Sequence, residues 1–200
     1  MVRVGCTGGI GSGKSSVCAL LAAHGARIID VDKISRSLTA LGGPAFPLVL
    51  DSFGEAILTS EGAIDRAALA RIVFSDRDRL RELETIIHPL VNHELLREVA
   101  NEDGAGIVVI DHPLLVETNA RDLLELDGVL VVDAPVDFVI ERLVEHRQMS
   151  REDVEARIAA QCPREDRLRA ADFILMNMGT FEELTIMADR AWQWIETLQA

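Results

Sequence analysis

The chain has 200 residues, 48% of them hydrophobic and 26% charged, with a formal net charge of −13. That composition suits one globular domain able to bury a core and excludes a disordered segment. The acidic balance argues against non-specific nucleic-acid binding, which needs basic residues to displace counterions from phosphates.

The three cysteines, Cys6, Cys18 and Cys162, are odd in number and lack CxxC spacing, so neither a disulfide framework nor a zinc site is expected. A reduced, cytoplasmic setting fits them. No apolar run approaches the roughly 20 residues that span a bilayer, and the glycine stretch begins too early to leave room for a signal segment. The expectation is a soluble protein with no membrane or nucleic-acid partner, either a monomer or a weak homo-oligomer.

In chain order, residues 2–7 read as a strand and lead into TGGIGSGKSS, residues 7–16. Gly8, Gly13, Lys14 and Ser15 satisfy G-x-x-x-x-G-K-[ST], placed after a strand and before a helix as its mechanism requires. Main-chain N–H groups over Gly8, Gly9, Gly11, Ser12, Gly13, Lys14, Ser15 and Ser16 are expected to wrap nucleotide phosphates. Lys14 then neutralises the β and γ oxygens while the Ser15 hydroxyl ligates magnesium. A phosphate cradle alone does not separate a kinase from a GTPase, a motor ATPase or a nucleotide-gated switch.

Residues 26–30 read as a second strand, opening the segment IIDVDKISR. If that strand continues, Asp30 and Asp32 share one face and both point to the phosphate site, where one carboxylate orients an acceptor hydroxyl and takes its proton. The alternative is that they cap the next helix or sit in solvent. Residues 36–105 lack a buried strand and carry helical signals, including the charged run 76–84, a hydroxyl cap at Ser75 with Asp78 three residues on, and the segment 92–100. They read as a helical lobe.

Residues 107–111, IVVID, and 129–133 are further buried strands, and Asp111 reads either as a magnesium-associated carboxylate or as part of a capped loop. Pro135 suits the first turn of a helix, with Arg142 on it and Arg147 just after it. Residues 142–169 form an arginine-rich cover in which Arg164, Arg167 and Arg169 read as a solvated face. Ser150 with Asp153 marks another helix start. A fifth strand, 173–176, ends at Asn177, and Thr180 with Glu183 opens a last helix from about 181 that carries Trp192 and Ile195. The polar residues at the strand ends, Gly8, Asp30 with Asp32, Asp111, Asp133 and Asn177, fall at one edge of a parallel sheet, where such folds bind ligands. The five histidines form no metal cluster, and His24, His93, His112 and His146 read as structural.

The motifs, taken in succession, resemble the dephospho-CoA kinase family. GCTGGIGSGKSS resembles its phosphate loop, and IIDVDKISR is similar to its Asp-Ala-Asp segment with valine for alanine. FGEAIL, GAIDRAAL, LETIIHP, HPLLVE and NMG follow in the family order. The resemblance implies an α/β, P-loop NTPase-type parallel sheet flanked by helices, with a helical substrate lobe and a lid. It also implies ATP-dependent phosphorylation of the ribose 3′-hydroxyl of dephospho-CoA, with ATP as donor and Mg²⁺ as metal. Asp32 would be the catalytic base and, with Arg36, His88, Pro113, Leu114 and Glu117, would contact the substrate. Arg142 would stabilise the transferring phosphoryl group, and Arg147, Asn177 and Gly179 would contact ATP. His112 stands where the family commonly has an apolar residue, and Met178 replaces a common asparagine. Another P-loop nucleoside or nucleotide kinase, and a non-catalytic nucleotide-binding module, are the competing readings.

Overall fold

A computed structural model describes residues 1–101 and 106–199. Five strands, β1 Val2–Gly8, β2 Arg27–Asp30, β3 Ile107–Asp111, β4 Gly128–Asp133 and β5 Phe173–Met176, form one parallel sheet in the order β2-β3-β1-β4-β5. Val4 lies beside both Val109 and Gly128, and Asp30 lies beside Asp111. β3 and β4 are buried along their whole length, which is why they read as unbroken apolar runs. The edge strands β2 and β5 are only partly buried.

In chain order the helices are α1 Lys14–Ala23, α2 Val31–Leu38, α3 Phe46–Phe53, α4 Arg66–Ser75, α5 Arg77–Ala100, α6 Ala120–Leu123, α7 Val136–Arg147, α8 Arg151–Ala159, α9 Arg164–Arg169 and α10 Phe181–Thr197. They divide between two compact units, Met1–Asp30 with Asp103–Ala200, and Val31–Glu102. Among the described residues no helix is long and apolar enough to cross a membrane.

The first unit holds the sheet. Val17, Cys18 and Leu21 of α1 and Leu184, Ala188, Ala191 and Ile195 of α10 pack with Val4, Val109, Leu130, Val132 and Leu175. The positions 184, 188, 191 and 195 recur with helical period, so α10 lays one apolar stripe on this core. Thr180 and Glu183 start it with a reciprocal capping box. A second cluster joins Val139, Ile140 and Leu143 of α7 to Val154 of α8 and Ala134, with Ile10 of the glycine loop packed against it.

In the second unit Val49, Phe53, Ile57, Leu69 and Val73 form the core. Asp65 caps α4 by accepting the Ala67 and Ala68 amides at 2.9 and 3.1 Å, and α5 continues through Pro89. Among the described residues, strand pairing here amounts to a single bridge between Leu58 and Ile64. The end of the stretch read as a lobe, residues 102–105, lies outside the described residues.

Three local expectations need correction. Asp76, not Ser75, caps α5. Ser75 is the last residue of α4 and spends its hydroxyl on the Ile72 carbonyl at 2.9 Å, whereas Asp76 has the extended backbone a cap requires and accepts the Asp78 and Arg79 amides. Pro135 flanks α7 with an extended backbone instead of entering its first turn. Asp32 does not alternate with Asp30 on a strand, because the ladder with β3 ends at the Asp30–Asp111 pair and the chain turns at once into α2.

Candidate active site

The glycine loop runs from the end of β1 at Gly8 to the start of α1 at Lys14. Gly11 and Gly13 have φ of 71° and 94°, the left-handed region that glycine tolerates. A Cβ on Gly13 would also collide with Asn177 Nδ2. The first turn of α1 contains no acidic residue of its own and exposes Ser15 and Ser16, a helix N-terminus suited to an anion.

Side chains from three other elements meet this loop. Lys14 forms an ion pair with Asp111 at the carboxyl end of β3, and the two side chains are only 15% and 10% exposed. Burial alone would lower the Lys14 pKa, but the hydrogen bond and charge of Asp111 raise it overall above 10.5. Asn177, buried just past β5, donates to the Ser12 carbonyl at 2.7 Å. Arg142 of α7 lies 4.8 Å above the Phe138 ring and donates to the Gly11 and Asn177 carbonyls at 3.3 and 3.4 Å.

The remaining predicted residues fall in several places. Arg147 is exposed at the end of α7. Gly179 precedes α10, and the space a Cβ would need there is filled by the Glu183 carboxylate of the capping box. After β3, the Pro113 carbonyl accepts the Thr7 hydroxyl at 3.4 Å, Leu114 is exposed, and Glu117 accepts the Cys162 amide at 3.0 Å. In the second unit Asp32 is exposed in the first turn of α2, its carbonyl taking Arg36 Nε at 3.0 Å, and His88 is exposed on α5. His24 ends α1, stacked on Trp192 and 2.9 Å from Asp189.

The solvated-face reading of the late arginines holds for Arg169, exposed beside Asp166, and fails for the other two. Arg164 grips the buried Asp133 carboxylate with Nε at 2.9 and 3.1 Å and Nη2 at 2.5 Å. Arg167 is buried and donates to the Cys162 carbonyl at 2.6 Å. Arg164 is placed by a carboxylate 31 residues away and Arg167 by a main-chain carbonyl in the preceding connection, neither of which a charge run reveals. Among the described residues no group of three or more His, Cys, Asp or Glu stands ready to hold a metal.

The family profile for dephospho-CoA kinase matches residues 2–183. The chain belongs to the dephospho-CoA kinase family. A dephospho-CoA kinase of Thermobifida fusca is 46% identical over 98% of this chain and 97% of its own length. One of Cutibacterium acnes is 43% identical over 98% and 85%. A crystal structure of a Thermus thermophilus protein superposes with a TM-score of 0.83 at 36% identity, covering 98% of this chain and 96% of that one. A shikimate kinase from Acinetobacter baumannii, at TM-score 0.56, 18% identity, and 98% and 94% coverage, shares the fold. The family match therefore extends over almost the whole chain, and the sheet is that of the P-loop kinases.

Proposed function

We infer that this chain transfers the γ-phosphoryl group of ATP to the ribose 3′-hydroxyl of dephospho-CoA, giving CoA and ADP, the last step of coenzyme A biosynthesis. The observation that carries this is the family match over residues 2–183, joined to a phosphate loop whose lysine is held at the carboxyl edge of the sheet. The setting we propose is cytoplasmic, in keeping with free thiols at Cys6, Cys18 and Cys162.

Lys14 turns from Asp111 to the β and γ oxygens of ATP, while the loop amides and the start of α1 hold the phosphates. Arg142, already against the loop, places its guanidinium where charge develops on the transferring group. Asp32 receives the proton of the 3′-hydroxyl as its oxygen bonds to the γ phosphorus and the bond to ADP breaks. Arg36, His88, Pro113, Leu114 and Glu117 serve the acceptor, and Arg147, Asn177 and Gly179 the nucleotide.

The Ser15 hydroxyl and the Asp111 carboxylate are hard oxygen donors, the kind magnesium takes, and a cation that keeps several waters and phosphate oxygens needs few protein ligands. When bound, it would neutralise charge on the phosphates. The arginine-rich segment 142–169 acts as the lid that excludes water and so favours the substrate hydroxyl over hydrolysis.

The test is ADP release with ATP and magnesium, comparing dephospho-CoA with adenosine, AMP and no acceptor, with the product identified by mass. A dephospho-CoA-dependent signal yielding CoA is the expected result. Activity only with another acceptor would overturn the substrate, and binding without transfer would overturn the reaction.

A further inference from the structure

Gln161 lies in the short connection between α8 and α9, far in sequence from the glycine loop. Its carboxamide oxygen accepts the Ile10 amide at 2.8 Å. The connection is itself fixed at the next residue, Cys162. The Cys162 amide is held by Glu117, and the Cys162 carbonyl by the buried Arg167. The Arg167 guanidinium in turn stands so near Gly9 that a Cβ there would lie 2.9 Å from Nη2.

We propose that Gln161 is a positioning residue for phosphoryl transfer, holding the outer limb of the phosphate loop through the Ile10 amide. The inference rests on the kinase reading above. A loop with glycines at 8, 9, 11 and 13 loses much conformational entropy when it becomes ordered, and any part not fixed beforehand must be ordered by ATP itself. Arg142 and Asn177 hold the loop by its Gly11 and Ser12 carbonyls. Gln161 holds it by an amide on the other limb. The loop is thereby set before nucleotide arrives, leaving the amides at the start of α1 for phosphate. A neutral acceptor suits the place, since a carboxylate there would oppose the triphosphate.

The experiment compares Gln161→Leu, of similar bulk without an acceptor, with Gln161→Glu, which keeps the acceptor oxygen and adds charge. Gln161→Leu should lower kcat at saturating ATP and dephospho-CoA by about tenfold or more, given that a displacement of about 1 Å can cost about 10²-fold. Gln161→Glu should keep kcat within about threefold of wild type while raising the KM for ATP several-fold. A Leu variant within about twofold of wild-type kcat, or equal losses in both variants, overturns the proposal. Amide exchange at Ile10 in the nucleotide-free wild type, read by NMR, decides the matter even if a variant fails to fold. Protection of about tenfold or more over an open amide is expected, and none overturns the proposal. Wild-type turnover measured alongside keeps the two readings apart: no dephospho-CoA-dependent ADP release counts against the kinase reading, whereas Ile10 protection reports on the contact without any acceptor.

Discussion

Replacing Lys14 with methionine should damage the fold as well as the chemistry, and the two effects can be separated. The Lys14–Asp111 pair is largely withdrawn from water, with side chains 15% and 10% exposed. Removing one partner of a buried pair costs about 3–5 kcal/mol because the other charge is left uncompensated, and the residual exposure places this case near the lower figure. For a chain of 200 residues, about 3 kcal/mol corresponds to a fall of about 6–12 °C in Tm. Lys14→Met/Asp111→Asn leaves no lone charge and should recover more than half of that fall, yet it should not recover turnover, because the phosphates still lack their cation. Because the folded pKa of Lys14 is raised, the pair's contribution is fully present below the unfolded value near 10.5 and is lost as pH rises through the folded value. The stability gap between wild type and Lys14→Met should therefore be flat from about pH 6 to 9 and close only at more alkaline pH. Nucleotide-free melting curves and ADP release measure both parts. A single variant that melts within about 1 °C of wild type, or a double variant that melts no higher than the single one, would refute the reasoning.

Asp32→Asn should retain ATP binding by calorimetry and lose about 10²-fold or more in turnover, the size of a general-base contribution; normal turnover removes Asp32 from the mechanism. Asn177→Ala leaves the Ser12 carbonyl without its buried donor and should cost about 1–3 kcal/mol in urea unfolding. Asn177→Asp, which cannot donate when ionised, should behave no better, and wild-type stability in the Asp variant would disprove the contact. Burial and the neighbouring Glu117 raise the Cys162 thiol against the opposing pull of Arg167. Alkylation of the native protein should accordingly be slow at neutral pH, accelerate above about pH 9, and quicken in Glu117→Gln. The Cys6 side chain and burial push the Cys18 thiol far up, so modification of Cys18 before Cys162, read by peptide mass, would contradict this.

The five strands were legible to within a residue, and most plainly the central β3 and β4, which are covered on both faces and so appear as apolar runs stopped by Asp111 and Asp133. The phosphate loop was legible because its requirements are local: glycine where φ is positive and lysine at the helix start. What failed was decided elsewhere. Ser75 and Asp76 are both cap formers, and only the backbone chosen by the end of α4 selects Asp76. The alternation of Asp30 and Asp32 assumed a strand longer than its neighbour could pair, since β3 stops at Asp111. Arg167 lies in a charged segment but is buried by a bond to the Cys162 carbonyl. Gln161 sits between helices, where no periodicity points to a partner 151 residues away.

These contacts bear on how a glycine-rich loop can serve as a fixed cradle. Glycine supplies the angles the loop needs but also the greatest freedom in the unfolded chain, so rigidity has to come from outside the motif. Asn177 and Arg142 supply it from beyond β5 and from α7. Both donate to carbonyls, so the Gly11 and Ser12 acceptors are satisfied by the protein itself. The amides at the start of α1, together with the helix dipole, are left for the anion. Substitutions at 142 or 177 should thus act on phosphate binding through loop geometry even where they make no contact with ATP. Arg142→Lys provides the discriminating case: it preserves the charge but not the forked donation to the two carbonyls. A net-charge role alone predicts near-normal ATP affinity and turnover for that variant, whereas the bracing role predicts a weakened response to both, measurable as a higher KM for ATP together with a lower kcat.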